Sequence, residues 1–164
     1  MIARNQIFVG FLTILVVVLV GVFISKNEAL QAYREFNEQT KKVSGVTYEI
    51  GIDESATEAE VIEVMHKMTH QKVKAEDKWG AIPMISDTID AVSEIIESSN
   101  YPHKEDLLEI VKSWKHGDFK QIDEDHNYFW EYQDGTVGKA YGVLNKTEEK
   151  TFIVNNFGEE YLPR

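Results

Sequence analysis

The stretch Thr57 to Gly80, TEAEVIEVMHKMTHQKVKAEDKWG, decides how the soluble part of this chain is read. Thr57 with Glu60 makes a capping-box pattern, in which a hydroxyl and a carboxylate satisfy backbone N–H groups at a helix start. Val61, Met65, Met68, Ala75 and Trp79 recur at helical spacing as one apolar stripe. Lys72, Lys74 and Lys78 gather toward the far end, where cations suit the helix dipole. Gly80 fits the left-handed position after a helix, and Pro83 blocks continuation. The reading is one helix running from Thr57 to Trp79.

Further helices follow downstream. Ser86 is placed to cap a helix carrying Ile89, Val92, Ile95 and Ile96. After the Asn100-Tyr101-Pro102 turn comes another with Leu107, Leu108, Val111 and Trp114, closed by Gly117. Asp118 is read as the cap of the next, whose stripe is Phe119, Ile122, His126, Phe129 and Trp130. Gly135, Gly138 and Gly142 each cost about 1 kcal/mol in a helix, so that segment is open between helix, strand and loop. Thr147, followed by Glu148 and Glu149, reads as the cap of a last helix through Phe152 and Ile153. Upstream, Val46, Tyr48, Ile50 and Ile52 alternate with polar residues as an extended segment whose expected partner is Thr151 to Val154.

Before this domain lies Ile7 to Ile24, IFVGFLTILVVVLVGVFI, eighteen residues without charge or proline. As a helix it would span roughly 27 Å, close to the roughly 30 Å hydrocarbon core of a bilayer. The residues after it offer no pair of small side chains suited to signal cleavage, so it reads as an uncleaved anchor. Ala29, Tyr33, Phe36, Thr40 and Val43 continue as a narrow helical stripe, a stalk. The expected fold class is mainly α: an N-terminal transmembrane helix continuing into a stalk, then a compact domain of about five or six helices with at most a minor β element. The divisions are 1–6 tail, 7–24 anchor, 25–56 stalk and linker, and 57–164 helical domain.

Arg4 precedes the anchor while Lys26, Arg34, Lys41 and Lys42 follow it, a count that by itself favours a cytoplasmic domain. The very short leading tail and the arrangement of Arg4 before an apolar run favour the opposite. Long domains also cross largely regardless of charge, so the expected placement is extracytoplasmic. The net charge of -11 argues against nucleic acid as a partner, because phosphates call for basic patches. The absence of cysteine removes disulfides, thiolate metal sites and a cysteine nucleophile.

Few polar positions carry chemistry. His66 and His70 stand four apart on one helix, within reach of one metal ion, with Glu63 a turn before them. The HExxH pattern fails because Lys67 stands where its glutamate would be. On the wheel of the long helix both histidines fall opposite the apolar stripe, on a solvated face, so they form only a weak candidate metal pair and no cofactor is expected. Lys72 and His126 instead interrupt apolar stripes. A candidate polar groove gathers Lys72, Trp79, Asp125, His126 and Trp130, with Trp114 bordering it and Asp118 or Asp125 as the expected partner of Lys72. No GxSxG, SxxK or phosphate-binding glycine loop is present.

The segments MHKMTHQKVKAEDKWG (Met65 to Gly80), WKHGDF (Trp114 to Phe119) and DHNYFWEYQDGTVGKA (Asp125 to Ala140) resemble a family of small, uncharacterised, single-pass membrane proteins of Gram-positive, spore-forming bacteria. The resemblance runs over roughly Thr57 to Gly158. It implies a bacterial source and an anchored domain outside the cytoplasm, and it transfers no catalytic residue. The expected function is a non-enzymatic, membrane-anchored module of the cell envelope that binds a protein partner. The alternative is a metal-assisted hydrolase using His66 and His70.

For placement, a reporter fused after Arg164 is expected to be active only outside the cell, and protease added to intact protoplasts should digest the domain. Protection until the membrane is broken would establish the reverse orientation.

Overall fold

The computed structural model describes residues 24–163, whose elements in chain order are α1 (residues 24–40), α2 (Glu58–Thr69), β1 (Val73–Ala75), α3 (Ser86–Ser98), α4 (Lys104–Lys115), α5 (Ile122–Tyr132), β2 (Ala140–Val143), α6 (Lys146–Asn156) and a 3-10 turn (Glu159–Tyr161). The mainly helical class with a minor β element is what is found. The anchor read over Ile7 to Ile24 lies, apart from Ile24, outside the described residues. Among the described residues no helix is long and apolar enough to cross a membrane. The chain divides into two units, residues 1–38 and residues 39–164. The first contributes helical residues 24–38, and everything below concerns the second.

The capping box of Thr57 and Glu60 is present, with the Glu60 carboxylate accepting from the Thr57 N–H at 2.8 Å. The helix it starts is shorter than the stripe implied. It ends at Thr69, and the chain turns so that Val73–Ala75 pairs antiparallel with Ala140–Val143, Val73 opposite Val143 and Ala75 opposite Ala140. Leu144 N–H donates to the Lys72 carbonyl at 2.7 Å, continuing the ladder. A helix through Trp79 would leave the backbone of the glycine-containing segment Ala140–Val143 without this partner, so tertiary pairing overrides a helix-compatible pattern. Gly80 sits at φ +78 as a turn residue rather than as a helix terminator, since that turn returns the chain toward Ala81 and the core.

Other expected boundaries move for similar local reasons. The extended segment at Val46 makes one parallel bridge, to Ala81, and not to Thr151 through Val154, which lie inside α6. The cap of α6 is Asn145, whose side chain accepts from the N–H groups of Thr147 and Glu148, displacing Thr147 from that role. Asn145 also forms a capping box with Glu148. Asp118 and Phe119 precede α5, whose cap position is Gln121. Ser86 is the first residue of α3 and not its cap, because the Thr88 hydroxyl accepts from the Ile85 N–H instead.

Two apolar clusters hold the domain. The larger joins Val61, Ile62, Met65 and Met68 of α2 with Val92 and Ile96 of α3, Leu107, Val111 and Trp114 of α4, and Ile122 and Phe129 of α5. The smaller joins Ala81 and Leu144 to Phe152, Ile153 and Phe157 at α6. Burying a side chain of this size contributes about 1.5 to 3 kcal/mol, so the helices are fixed by these faces more than by their own propensities.

Lys72 is buried, and its partner is neither Asp118 nor Asp125. It pairs with Glu149 of α6 at 2.5 Å, and its ammonium stands 3.9 Å from the centroid of the Phe119 ring. The aromatic face and the carboxylate together explain how a lysine sits among apolar residues. Lys78 is the less comfortable cation. Burial pulls its amine down from 10.5 to about 7, only partly opposed by Glu148.

This gives a pH prediction. The unfolded chain keeps the Lys78 proton up to about pH 10.5, whereas the folded chain releases it near pH 7, so folding releases a proton between those values and Lys78 makes stability rise with pH across that window. Below about pH 7 both states are charged and the full cost is present. Lys78→Met is therefore expected to stabilise by at least about 1 kcal/mol at pH 6 to 7, and the gain should fade toward pH 10. Thermal unfolding across that range checks it; a gain independent of pH would assign the effect to packing.

Candidate metal centre

Helix α2 places His66 and His70 one turn apart, and α5, packed against α2, brings His126 to them. One ring nitrogen from each of the three lies within 4.8 Å of the others. The Nε2 atoms of His66 and His126 are 3.0 Å apart, and the ring centroids are separated by 4.4 Å (66 and 126), 5.0 Å (66 and 70) and 5.5 Å (70 and 126). His126 is 0% exposed and His70 4%, while His66 is half-buried.

The second nitrogen of each ring has a fixed partner. His70 Nδ1 lies 2.6 Å from the Gly80 carbonyl, which can only accept, so this nitrogen carries the proton. His126 Nδ1 lies 3.2 Å from Asn127 Oδ1. The Asn127 amide is oriented by strand β2: its Oδ1 accepts from the Ala140 N–H at 2.8 Å and its Nδ2 donates to the Ala140 carbonyl at 3.0 Å. Its oxygen therefore faces His126, and His126 Nδ1 is the donor. His66 Nδ1 lies 2.6 Å from Gln133 Oε1, and with the amide oxygen turned to the ring it is the donor. With all three Nδ1 positions protonated, the three Nε2 atoms are left with lone pairs.

Two lone pairs facing each other at 3.0 Å repel unless a cation stands between them. With Nδ1 of both rings protonated, a proton shared between the Nε2 atoms makes one ring cationic, and the surroundings oppose that; the neutral alternative needs the Nε2–H tautomer of His66 and the Gln133 amide turned to donate. Burial, reinforced by His66 and Lys78, holds His126 down at about 3. Burial also lowers His66, and it holds His70 well below the ordinary histidine value. Neutral imidazoles oriented through Nδ1–H bonds are the form in which histidine binds transition metals. A tetrahedral zinc with Zn–N bonds of about 2.0 to 2.1 Å needs its nitrogens about 3.3 Å apart, against 3.0 Å between Nε2 of His66 and His126 and no more than 4.8 Å across the cluster.

Above His66 and His70 opens a cavity of about 150 Å³ lined by Glu63, Lys67, Asp77, Trp79, Trp130, Gln133, Val137 and Gly138. Two close approaches shape it. A Cβ at Gly135 would lie 2.4 Å from Trp130 Nε1, and one at Gly138, where φ is +87, would lie 2.7 Å from the Asp77 carbonyl. Larger residues at these positions would push the two loops framing the mouth apart. The indole of Trp130 is held by its donation to the Val137 carbonyl at 2.8 Å, whereas Trp79 is 62% exposed on the rim.

The structure thus distributes the expected site residues differently from the sequence reading. His126 joins His66 and His70 rather than Lys72, which lies in a separate cleft beside Glu149. Trp79 and Trp130 border the histidine cavity. Asp125 faces away, accepting from the Trp114 indole at 2.8 Å, and Trp114 is buried in the core. The two histidines of α2 are not on a solvated face. The wheel that put them there was centred with Ala75 and Trp79, which are not helical, and the buried arc of the true helix extends through Val64, Thr69 and His70. Asn127 and Gln133 went unread; the signal available was a histidine in the α5 stripe immediately followed by an amide.

Asn127 ties α5 to β2, so Asn127→Ala is expected to destabilise the chelator-treated protein by about 1 to 3 kcal/mol, the range for stranding part-buried backbone groups. An unchanged urea midpoint would show that solvent serves Ala140 equally well.

Comparison with known proteins places this site within a shared domain. A family model described as a family of unknown function, DUF6241, matches residues 65–154, a span that contains all three histidines, Asn127 and Gln133. Neither a curated protein nor a solved structure gives a significant match. Since the match spans more than half of the chain, this protein belongs to the DUF6241 family of unknown function.

Proposed function

We propose that the domain is a metal-binding module that takes one divalent transition ion, zinc by ligand type, through Nε2 of His66, His70 and His126. The observation that carries this reading is the cluster itself, one ring nitrogen of each histidine within 4.8 Å of the others, with each Nδ1 engaged by an oxygen, of Gln133, Gly80 or Asn127. Imidazole ligands suit zinc, copper and nickel, and of these zinc alone brings no redox chemistry into a site without thiolates. The apolar run Ile7 to Ile24 supports a membrane-tethered protein, and the signal-like order of Arg4 before that run supports placing the module on the extracytoplasmic side. A second reading, a partner-binding envelope module, draws on the exposed Trp79 and Val137 at the rim of the same cavity.

The full chain in detergent, stripped with chelator and titrated with zinc, is expected to bind one equivalent. Zinc at about 100 times its Kd should raise the unfolding free energy by about 2.7 kcal/mol. His70→Ala and His126→Ala should abolish both effects. Binding that survives His126→Ala, or the absence of stoichiometric zinc, would overturn the assignment.

A further inference from the structure

We propose that the fourth coordination position of the three-histidine site is catalytic, with Glu63 as its base, in the hydrolysis of a small neutral acyl ester or amide. This inference rests on the metal-binding reading above and adds a reaction to it. Among the described residues the cluster holds three protein donors and no fourth, the pattern of catalytic rather than structural zinc sites. The cavity explains where a fourth ligand would come from. His126 is sealed on the inner side, while His66 and His70 line the space of about 150 Å³ that opens outward. A space of this volume holds a molecule the size of benzene, enough for an acyl group but not for a long chain.

Glu63 lies on the same face of α2, one turn before His66 and two before His70, and lines the same cavity. Its hydrogen-bonded partner is Lys67, at 2.5 Å through Oε1, which holds the carboxylate on that side of the helix. Lys67, the lysine of the lining, is paired with Glu63, and Asp77 adds a negative charge, so the lining leaves no unpaired ammonium to hold an anionic group and a neutral ester or amide is inferred. The exposed indole of Trp79 offers a flat apolar surface on which the remainder of the substrate can lie.

The step is balanced without any redox partner. Water in the fourth position gives a proton to Glu63 as its oxygen bonds to the acyl carbon, and the carbonyl electrons move onto the carbonyl oxygen. When the carbonyl re-forms, the bond from the acyl carbon to the leaving oxygen or nitrogen breaks, and Glu63 returns the proton to the leaving atom. The products are a carboxylic acid and an alcohol or amine.

The test uses the zinc-loaded full chain in detergent with p-nitrophenyl acetate as the probe. Hydrolysis is expected to track zinc occupancy and to exceed that of the same concentration of free zinc. Glu63→Gln should bind zinc as the parent does yet hydrolyse at least about 100-fold more slowly, the usual scale for a lost general base. Cobalt(II) in place of zinc reports the open position separately, and azide is expected to change its visible absorption. Bound zinc without turnover, a Glu63→Gln variant as active as the parent, or a cobalt spectrum indifferent to azide would each overturn the catalytic inference while leaving the metal site standing. Failure of the protein to bind zinc would overturn the site itself, and this inference with it.

Discussion

Three clustered imidazoles, two buried and one half-buried, call for a partner at each nitrogen, and the way this domain meets that demand organises its polar interior. A buried ring with an unsatisfied nitrogen costs about as much as a lost hydrogen bond, and a charged one costs more. Here one nitrogen of each ring is committed to an oxygen: a backbone carbonyl for His70, an amide fixed by a strand for His126, a glutamine for His66. Those oxygens come from three separate parts of the chain: the turn at Gly80, the residue next to His126 as clamped by β2, and the end of α5. The remaining nitrogens of His66 and His126 face each other at 3.0 Å, and His66 and His70 border the cavity.

That constraint explains features that otherwise look like irregularities. Helix α2 stops at Thr69, so the chain can turn beneath His70, run through β1 and return at Gly80, where its carbonyl meets the His70 ring. The positive φ of Gly80 and the donation of its N–H to the Ser44 carbonyl at 2.8 Å hold that carbonyl in place. Strand β2 is short and half-exposed, a weak element by its own burial, yet it is joined both to β1 and to Asn127. The small sheet is therefore tied to the orientation of His126 as much as to the core.

The charged residues outside the site follow ordinary physics. Lys72 is held by a carboxylate and an aromatic face, and Lys74 pairs with Glu148 at 3.1 Å. Glu58, buried at the start of α2, accepts from the His103 N–H at 2.7 Å and from the Tyr132 hydroxyl at 3.0 Å, tying α2 to the ends of α4 and α5. These contacts fasten helix termini to one another, and the cleft that Lys72 and Glu149 line is separate from the histidine cavity.

The sequence by itself determined whatever depends on neighbours along the chain. The capping box at Thr57, the helices over Ser86–Ser98 and Lys104–Lys115, the mainly helical class and the candidate pairing of His66 with His70 are all set by spacings of three or four residues. The apolar run Ile7 to Ile24 is equally a local property. Only the tertiary structure decided that the stripe beyond Thr69 is a strand, because Val73–Ala75 is compatible with helix and the ladder to Ala140–Val143 is not local. It also decided that His126, sixty residues from His66, completes a cluster, and that Lys72 does not belong to it. Periodicity reports which face of an element is buried. Which buried faces meet is a matter of packing between elements far apart in the chain, and a three-residue ligand set is defined by that meeting.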